Sequence, residues 1–402
     1  YCIGGKKMAS LAAAAEKCAK LGGVVPRAQI LKSLGTTAPE FQKLVDEATA
    51  KMSPPSTSKI WTPERGVTAS VFGGTGFLGK YVAQSLALMN ARAYIANRAC
   101  EFEVRHLQPL FDQNCLGQVG FPQYSPRDED SIKRAMEKSN IVINMIGKYY
   151  QPKHAVPIRK VGGKASRVTY TFEEQHVEIP ARLARLAREA GVQRFVHVSA
   201  LASDRGSDSA WARTKAEGEE AVRAEFPGAV IVRPSVLYGP EDRFLNWFAT
   251  AAEKYPFVPL VDGGAPLVQP VYVVDVAKAI GQTVREDQWD GKTLDLAGDD
   301  DYTWKEVAEF VYDITGQDVR LVNLPSDAAK LLGRFAQELP HPVWTEDIAV
   351  QQAVDNVLDP ATPNVTFAEL GLQPERMERV AFHWLHRFRA GGHFLNAEGY
   401  HN

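Results

Sequence analysis

The chain is poor in cysteine, nearly balanced in charge and free of long apolar runs, and each shortage excludes something. Its 402 residues include four cysteines, Cys2, Cys18, Cys100 and Cys115, with no CxxC pair and no histidine at ligand spacing. A disulfide framework is therefore not expected, and a reduced compartment is the better reading. His383 and His386 share a helical register but have no third ligand, so no metal is expected. The formal net charge of -2 gives no general pull toward nucleic acid or anionic lipid. No apolar run is long enough for a transmembrane helix, so any membrane association is peripheral.

What is present has the organisation of a large α/β protein. Residues 1–60 read as an extension and linker. They contain a basic, Ala-rich, acid-poor start, one helical pattern over 39–52 and the Pro/Ser stretch "SPPSTS". The first stretch suits the neighbourhood of a processed organelle import signal; a tag scar has the same composition. The extension would lie along a partner or pack on its own domain. From residue 67 short β-rich runs at 67–72, 93–97, 119–124, 141–145, 194–199 and 229–233 alternate with helical patterns. One helix opens at Thr171 with the capping box "TFEE", carries Pro180 as a kink signal and stops at Gly191. The alternation predicts an α/β fold: a doubly wound parallel Rossmann sheet over 61–240 and a smaller C-terminal α/β lobe over 241–402, with 268–281 returning toward the sheet.

"VFGGTGFLGKYV" carries the most chemistry. Gly73 allows a tight turn after a strand, Gly76 lets the backbone approach a pyrophosphate, and Gly79 lets the following helix pack closely. Thr75, Phe77 and Leu78 complete the loop and the helix start, whose free N–H groups and positive dipole end favour phosphate. At the second strand's end an NAD-preferring site would place an acid on the ribose 2′-hydroxyl. Here stand Asn97 and Arg98. An arginine makes charge-assisted bonds to a 2′-phosphate, each contributing about 1.5–3 kcal/mol, or roughly 10- to 150-fold in affinity. The pattern favours NADPH (NADP) over NAD; pairing of Arg98 with Glu101 or Glu103 is the alternative. Ile146 and Gly147, after the fourth strand, face the same crevice.

The glycine spacing resembles that of extended and atypical short-chain dehydrogenases/reductases, in which a serine, a tyrosine and a lysine act together. In "FVHVSALASD" and "AWARTKAEGE", Ser199 and Lys215 stand at the serine and lysine positions. The tyrosine position, four before the lysine, holds Trp211. A phenol can release a proton; an indole N–H only donates a hydrogen bond. General acid–base catalysis contributes about 10²–10⁴ in rate, or roughly 3–5 kcal/mol, which Trp211 does not supply. The expectation is a cofactor site without catalytic residues, in which Ser199 and Lys215 bind ribose and amide. Rescue by Tyr149 or Tyr150 is the competing reading.

"DEDSIKRAMEKSNIVINMIGKYY", "RFVHVSALASD", "RPSVLYGPEDRFLNWFA", "QPVYVVDVAKAI" and "NRACEFEVRHL" narrow the resemblance. Over about residues 67–297 the chain resembles the NADPH-binding accessory subunits of mitochondrial respiratory complex I, of the 39-kDa or alpha-subcomplex subunit 9 type. The resemblance implies the glycine-loop role for Gly73, Gly76 and Gly79, the 2′-phosphate role for Arg98 and the ribose role for Lys215, with Pro234 and Val236 near the nicotinamide amide. It implies other complex I subunits as partners, near the joint of peripheral and membrane arms. It also implies a peripheral position on the matrix side of the mitochondrial inner membrane, and NADPH as a structural ligand. Trp211 departs from members that keep the tyrosine, and residues before 67 have no counterpart. A soluble NADPH-dependent reductase or epimerase is the alternative function, and a redox-sensing regulator a third. The aromatics Phe244, Trp247, Phe248 and Phe257 would form second-lobe core, a partner or lipid contact, or a substrate pocket. The tail "FHWLHRFRAGGHF" suits a headgroup layer or a solvated amphipathic helix end.

Overall fold

The computed structural model describes residues 66–389, apart from 90, 99–118, 152–156, 159–165, 168–169, 339–343 and 360–361. The described residues belong to one compact unit, Thr62–Asn402. The expected extension and its helix, the four cysteines, Glu101 and Glu103, and the end of the tail lie outside the described residues.

Apart from six two-residue strands outside the main sheet, the strands among the described residues are β1 (Thr68–Phe72), β2 (Arg92–Ala96), β3 (Val119–Gly120), β4 (Ile141–Asn144), β5 (Arg194–Val198), β6 (Val230–Pro234), β7 (Phe257–Val261), β8 (Thr293–Leu296) and β9 (Arg320–Leu324). Seven of them form one parallel sheet in the order β8-β6-β5-β4-β1-β2-β3. The helices are α1 (Phe77–Leu88), α2 (Glu129–Met136), α3 (Ile179–Glu189), α4 (Ala210–Glu225), α5 (Leu245–Lys254), α6 (Val273–Arg285), α7 (Trp304–Thr315), α8 (Ser326–Ala336), α9 (Glu346–Gln352) and α10 (Met377–Leu385).

Strand alternation sorts the core into two layers, because successive side chains leave a strand on opposite faces. Val71, Ile95, Ile143, Val196 and Val232 join α1 and α6 on one face. Phe72, Val142, Phe195 and Ile231 join α2, α3 and α4 on the other. This is the doubly wound Rossmann arrangement, and the strand order reverses between β1 and β4, where such sheets bind ligands. The sheet takes a further strand, β8, from the stretch assigned by sequence to the second lobe; α6 packs on α1, and Val365 bridges to Leu294. The return to the sheet therefore runs well past residue 281.

The helix that begins after Thr171 holds a π turn at Glu174–Glu178. Thr171 caps it through the Glu174 N–H (3.2 Å), but the Glu174 carboxylate bonds Arg127 (2.6 Å), so the capping box is only half closed. Pro180 has no N–H for the carbonyl of His176. That carbonyl turns instead toward Gly218 of α4, where an added Cβ would lie 1.9 Å from it. Proline and glycine together let the π turn and α4 approach closely.

Phe244 and Phe248 are second-lobe core, Trp247 packs edge-on against Phe248, and Phe257 is exposed. Trp384 and Leu385 of the tail are also core, while Arg387 bonds the Pro240 carbonyl and Asn246. Helix α8 is inverted: it buries Ala329 and Gly333 and exposes Leu331, Leu332 and Phe335. A Cβ on Gly333 would lie 2.5 Å from the Thr345–Glu346 backbone, so the helix seats on α9 by its smallest residues. Among the described residues no helix is long and apolar enough to cross a membrane, and no cluster of His, Cys, Asp or Glu has metal-ligand geometry.

Candidate functional site: a dinucleotide crevice

The glycine loop lies at the reversal of strand order. Gly73 has φ +82°, and a Cβ there would lie 2.8 Å from the Met145 backbone after β4. A Cβ on Gly79 would lie 2.6 Å from Gly74, so α1 starts hard against its own loop. The Gly76 N–H bonds the Gly73 carbonyl (3.0 Å), closing the turn. Thr75 and Gly76 are exposed at the tip. Leu78 is core and Phe77 packs edge-on against Tyr81, so both would meet a ligand through their backbones only. No side chain caps α1, which leaves its first N–H groups for an anion.

Around this loop several buried polar atoms have no partner: Asn97 Oδ1 after β2, His197 Nε2 in β5, Ser199 Oγ after β5 and Ser235 Oγ after β6. They lie at the carboxyl half of three strands. A buried polar atom left unbonded costs about 1–3 kcal/mol, so a line of them marks the place where a polar ligand completes the structure.

Lys215 is buried, with Nζ 3.4 Å from the Val198 carbonyl and 3.3 Å from where a Cβ on Gly147 would stand. Burial pushes its pKa down to about 8, against the pull of Glu219. Asn144 and His197 lie side by side on neighbouring strands. Asn144 Oδ1 accepts the Ile146 N–H (3.1 Å), so its Nδ2 faces His197 Nδ1 at 3.1 Å. His197 therefore carries its proton on Nε2, the orphaned atom. Burial and then Lys215 push its pKa down to about 3. His176 is also neutral. Thr214 donates its hydroxyl to the Ala210 carbonyl (2.9 Å) and accepts from His176 Nδ1 (3.0 Å), which leaves Nε2 to accept the Lys148 N–H (3.3 Å).

Trp211 holds the next peptide, at the other backbone polar group of Lys148. Its Nε1 donates to the Lys148 carbonyl (2.9 Å), and its ring stacks on Tyr149 (5.8 Å). The Lys148 backbone is thus clamped at both polar groups. The indole is buried, its single N–H is in use, and Tyr149 is stacked against it.

Arg98 is exposed and lies over the Tyr170 ring (5.4 Å) without a carboxylate partner among the described residues. Pro234 has no N–H, and its carbonyl accepts from the Leu201 N–H (2.9 Å); the Val236 carbonyl accepts from the Val271 N–H (2.9 Å). The freer group at this strand end is the Ser235 hydroxyl, which sequence reasoning passed over. Lys148, His176, Asn144 and His197 were also missed. The signal for the last two was present, since a polar residue inside an apolar strand asks for a partner.

The model of the NAD dependent epimerase/dehydratase family matches residues 69–296. The "NADH dehydrogenase (ubiquinone) 1 alpha subcomplex subunit 9, mitochondrial" of Arabidopsis thaliana is 36% identical over 336 residues, covering 81% of this chain and 79% of that protein. The chain belongs to that family, in the branch of the alpha subcomplex subunit 9 proteins. A "Ceramide reductase" of Caulobacter vibrioides is 27% identical over 306 residues, covering 72% of this chain and 88% of its own. The NADPH-dependent quinone oxidoreductase QOR2 of Escherichia coli superposes with a TM-score of 0.58 at 17% identity, over 79% of this chain and 99% of that one, and speaks for the fold alone. The family is described as NAD dependent, and a nicotinamide dinucleotide is the cofactor that fits the glycine cradle and the orphaned atoms.

Proposed function

We propose that this subunit 9 relative is an accessory subunit of mitochondrial NADH:ubiquinone oxidoreductase that holds NADPH as a structural ligand and does not turn it over. The observation that carries the reading is Trp211: at the acid–base position it is buried, and its N–H is spent on the Lys148 carbonyl. The nucleotide, when bound, offers a hydride. The chain offers a phosphate cradle (Gly73, Thr75, Gly76, Phe77, Leu78, Gly79), Asn97 and Arg98 for the 2′-phosphoribose, and Ile146, Gly147, Ser199, Lys215, Pro234 and Val236 along the nicotinamide side. None of these residues is a tyrosine, and Trp211 stands where the proton-donating one would be. Binding to the folded state alone stabilises by about 4 kcal/mol at a thousandfold excess over Kd, a large share of a domain's stability.

The relatives' names support assembly with other complex I subunits in mitochondria. A peripheral position on the matrix side of the inner membrane, near the joint of the two arms, accords with the lack of a spanning helix among the described residues. The exposed face of α8 is a surface of the kind that assembly covers. The similarity to a ceramide reductase keeps a second reading, a soluble NADPH-dependent reductase.

The deciding experiment runs gently solubilised mitochondrial membranes on a native gel and finds this chain by mass spectrometry. Co-migration with the NADH-oxidising band, with NADPH retained and no carbonyl reduction by the purified chain, is the expected result. A small free species that consumes NADPH would make it a reductase.

A further inference from the structure

We propose that Asp347, a carboxylate of the second lobe, is a positioning residue for the nucleotide site, acting through the start of α4 rather than on the ligand. The inference rests on the reading that the crevice takes a nicotinamide dinucleotide, and goes beyond it by naming a residue that neither the sequence motifs nor the resemblance assigns.

A helix leaves its first four N–H groups without partners of its own. In α4 the start matters beyond stability, because Trp211 and Lys215 stand on its first two turns. Trp211 fixes the Lys148 carbonyl, and Lys215 lies against Gly147 and the Val198 carbonyl. Where α4 begins therefore decides how the ends of β4 and β5 face the crevice. Ser209 supplies a local cap, its hydroxyl accepting from the Ala212 N–H at 3.4 Å, which is long for such a bond. The shorter contact comes from 137 positions away: Asp347 Oδ1 accepts the Ala210 N–H at 2.8 Å. The same oxygen accepts the Ser209 hydroxyl at 3.1 Å and lies 3.5 Å from the Trp211 nitrogen. Gln351, one turn further along α9, donates to the Ser209 hydroxyl at 3.4 Å. A single carboxylate oxygen thus gathers the donors at the positive end of α4, where its charge is favoured as well.

The second lobe holds that carboxylate in place. Helix α9 has its own cap, Thr345 accepting the Ile348 N–H at 3.3 Å, and is anchored by Ala349, buried with Ala329 of α8 and Val261 of β7. Gly333 of α8 seats on the Thr345–Glu346 backbone, directly before Asp347. A shift of α8 or α9 moves Asp347, and with it the helix start that carries Trp211. An uncapped start frays, and a site complete in only a fraction of molecules binds with an affinity lowered by that fraction. The dependence is reciprocal: a nucleotide that orders the start of α4 also orders α9.

The test titrates the purified full chain, freed of endogenous nucleotide, with NADPH and separately with NADH, in wild type, Asp347→Ala, Asp347→Asn and Arg334→Gln. The usual cost of a lost cap corresponds to about fivefold weaker binding for Asp347→Ala. The factor should be the same for either nucleotide, since the nicotinamide side is common to both. Asp347→Asn keeps an acceptor and should stay within about twofold of wild type. Arg334→Gln breaks the ion pair with Glu346 between the same two helices and leaves Asp347 in place, so it too should stay within about twofold. Wild-type affinity in Asp347→Ala overturns the proposal even if its melting temperature falls, because a purely structural carboxylate would behave so. Equal losses in Asp347→Ala and Arg334→Gln also overturn it, since any loosening of the α8–α9 pair would then suffice. Should Asp347→Ala not fold, hydrogen exchange on the wild type decides. Saturating NADPH should slow exchange in α9 more than in α10, which is buried in the second-lobe core by Met377, Ala381 and Leu385; equal slowing overturns the link. A wild type that binds neither nucleotide sinks the dinucleotide reading and the proposal with it, and that outcome is distinct from a wild type that binds and an Asp347→Ala protein that binds equally well.

Discussion

The two ends of β5 treat buried polarity in opposite ways. At the amino end Arg194 is buried, and every direction of its guanidinium is used: Asp290 at 2.5 Å, Asp287 at 2.6 Å, and the carbonyls of Thr283 and Val284 at 3.0 and 2.9 Å. At the carboxyl end His197 Nε2 and Ser199 Oγ are buried and bonded to nothing, with Lys215 beside them driven toward neutrality. One strand thus joins a finished polar network to an unfinished one. The finished end holds β5, α6 and the turn before β8 together. The unfinished end is complete only with a ligand in place.

Breaking the finished end should have the largest effect. Arg194→Met removes the guanidinium from two buried carbonyls and from the Asp290 and Asp287 carboxylates. The carboxylates are partly exposed, so we expect about 3 kcal/mol of destabilisation, the low end for a broken buried pair. Denaturant melts should show the same loss with and without NADPH. A loss that NADPH repairs would place Arg194 in the ligand site and end the comparison.

Titrating the unfinished end is next. The folded pKa of Lys215, about 8, lies below that of an unfolded lysine, near 10.4. The unfolded chain then binds more protons between these values, so stability rises as pH rises through the window and falls as pH drops through 8. Between pH 8 and 10 the expected gain is about 2 kcal/mol for the nucleotide-free protein. Lys215→Met should flatten that slope relative to wild type. An unchanged slope in melts of the two proteins would mean that Lys215 is charged and paired.

How far the sequence reaches follows the same division. β1, β4, β5 and β6 lie within a residue of the apolar runs that announce them, because alternation and chain punctuation are local signals. The glycine loop is local too, being one strand, one turn and one helix start. The clamp is not. It joins Trp211, Lys148 and His176 across 63 and 28 positions, and depends on Pro180 freeing a carbonyl that only a glycine at 218 can receive. Glu174 looked like the second half of a capping box, and Arg127, 47 positions away, takes it instead. Trp211 was legible as a missing tyrosine; what the indole does in that place was not.

The clamp offers an intermediate effect. Trp211→Phe keeps the ring and removes the N–H, leaving the buried Lys148 carbonyl one partner short. A loss of about 1–2 kcal/mol is expected, with reduced affinity for NADPH as the loop loosens. Trp211→Tyr sharpens the point, since it returns an ionisable group next to Lys215. If that variant reduces a carbonyl substrate with NADPH in a spectrophotometric assay, the proton donor was all that was missing. If it does not, the loop geometry built around the indole has moved further from catalysis than one residue.

The smallest effect separates the two ends of the sheet most cleanly, because its sign changes with the ligand. Ser235→Ala deletes a buried hydroxyl that has no partner. Without nucleotide the variant should be as stable as wild type, or more stable by up to about 1 kcal/mol, since an unpaired buried donor is removed. With NADPH it should lose one hydrogen bond, worth about 0.5–1.5 kcal/mol, or roughly 2- to 13-fold in affinity. The ligand-linked rise in melting temperature should shrink while the nucleotide-free value holds. Arg194→Met cannot behave this way, because its partners belong to the protein. A Ser235→Ala protein destabilised equally in both states would show that this hydroxyl, too, is part of the finished structure, and the unfinished line would then end at Ser199.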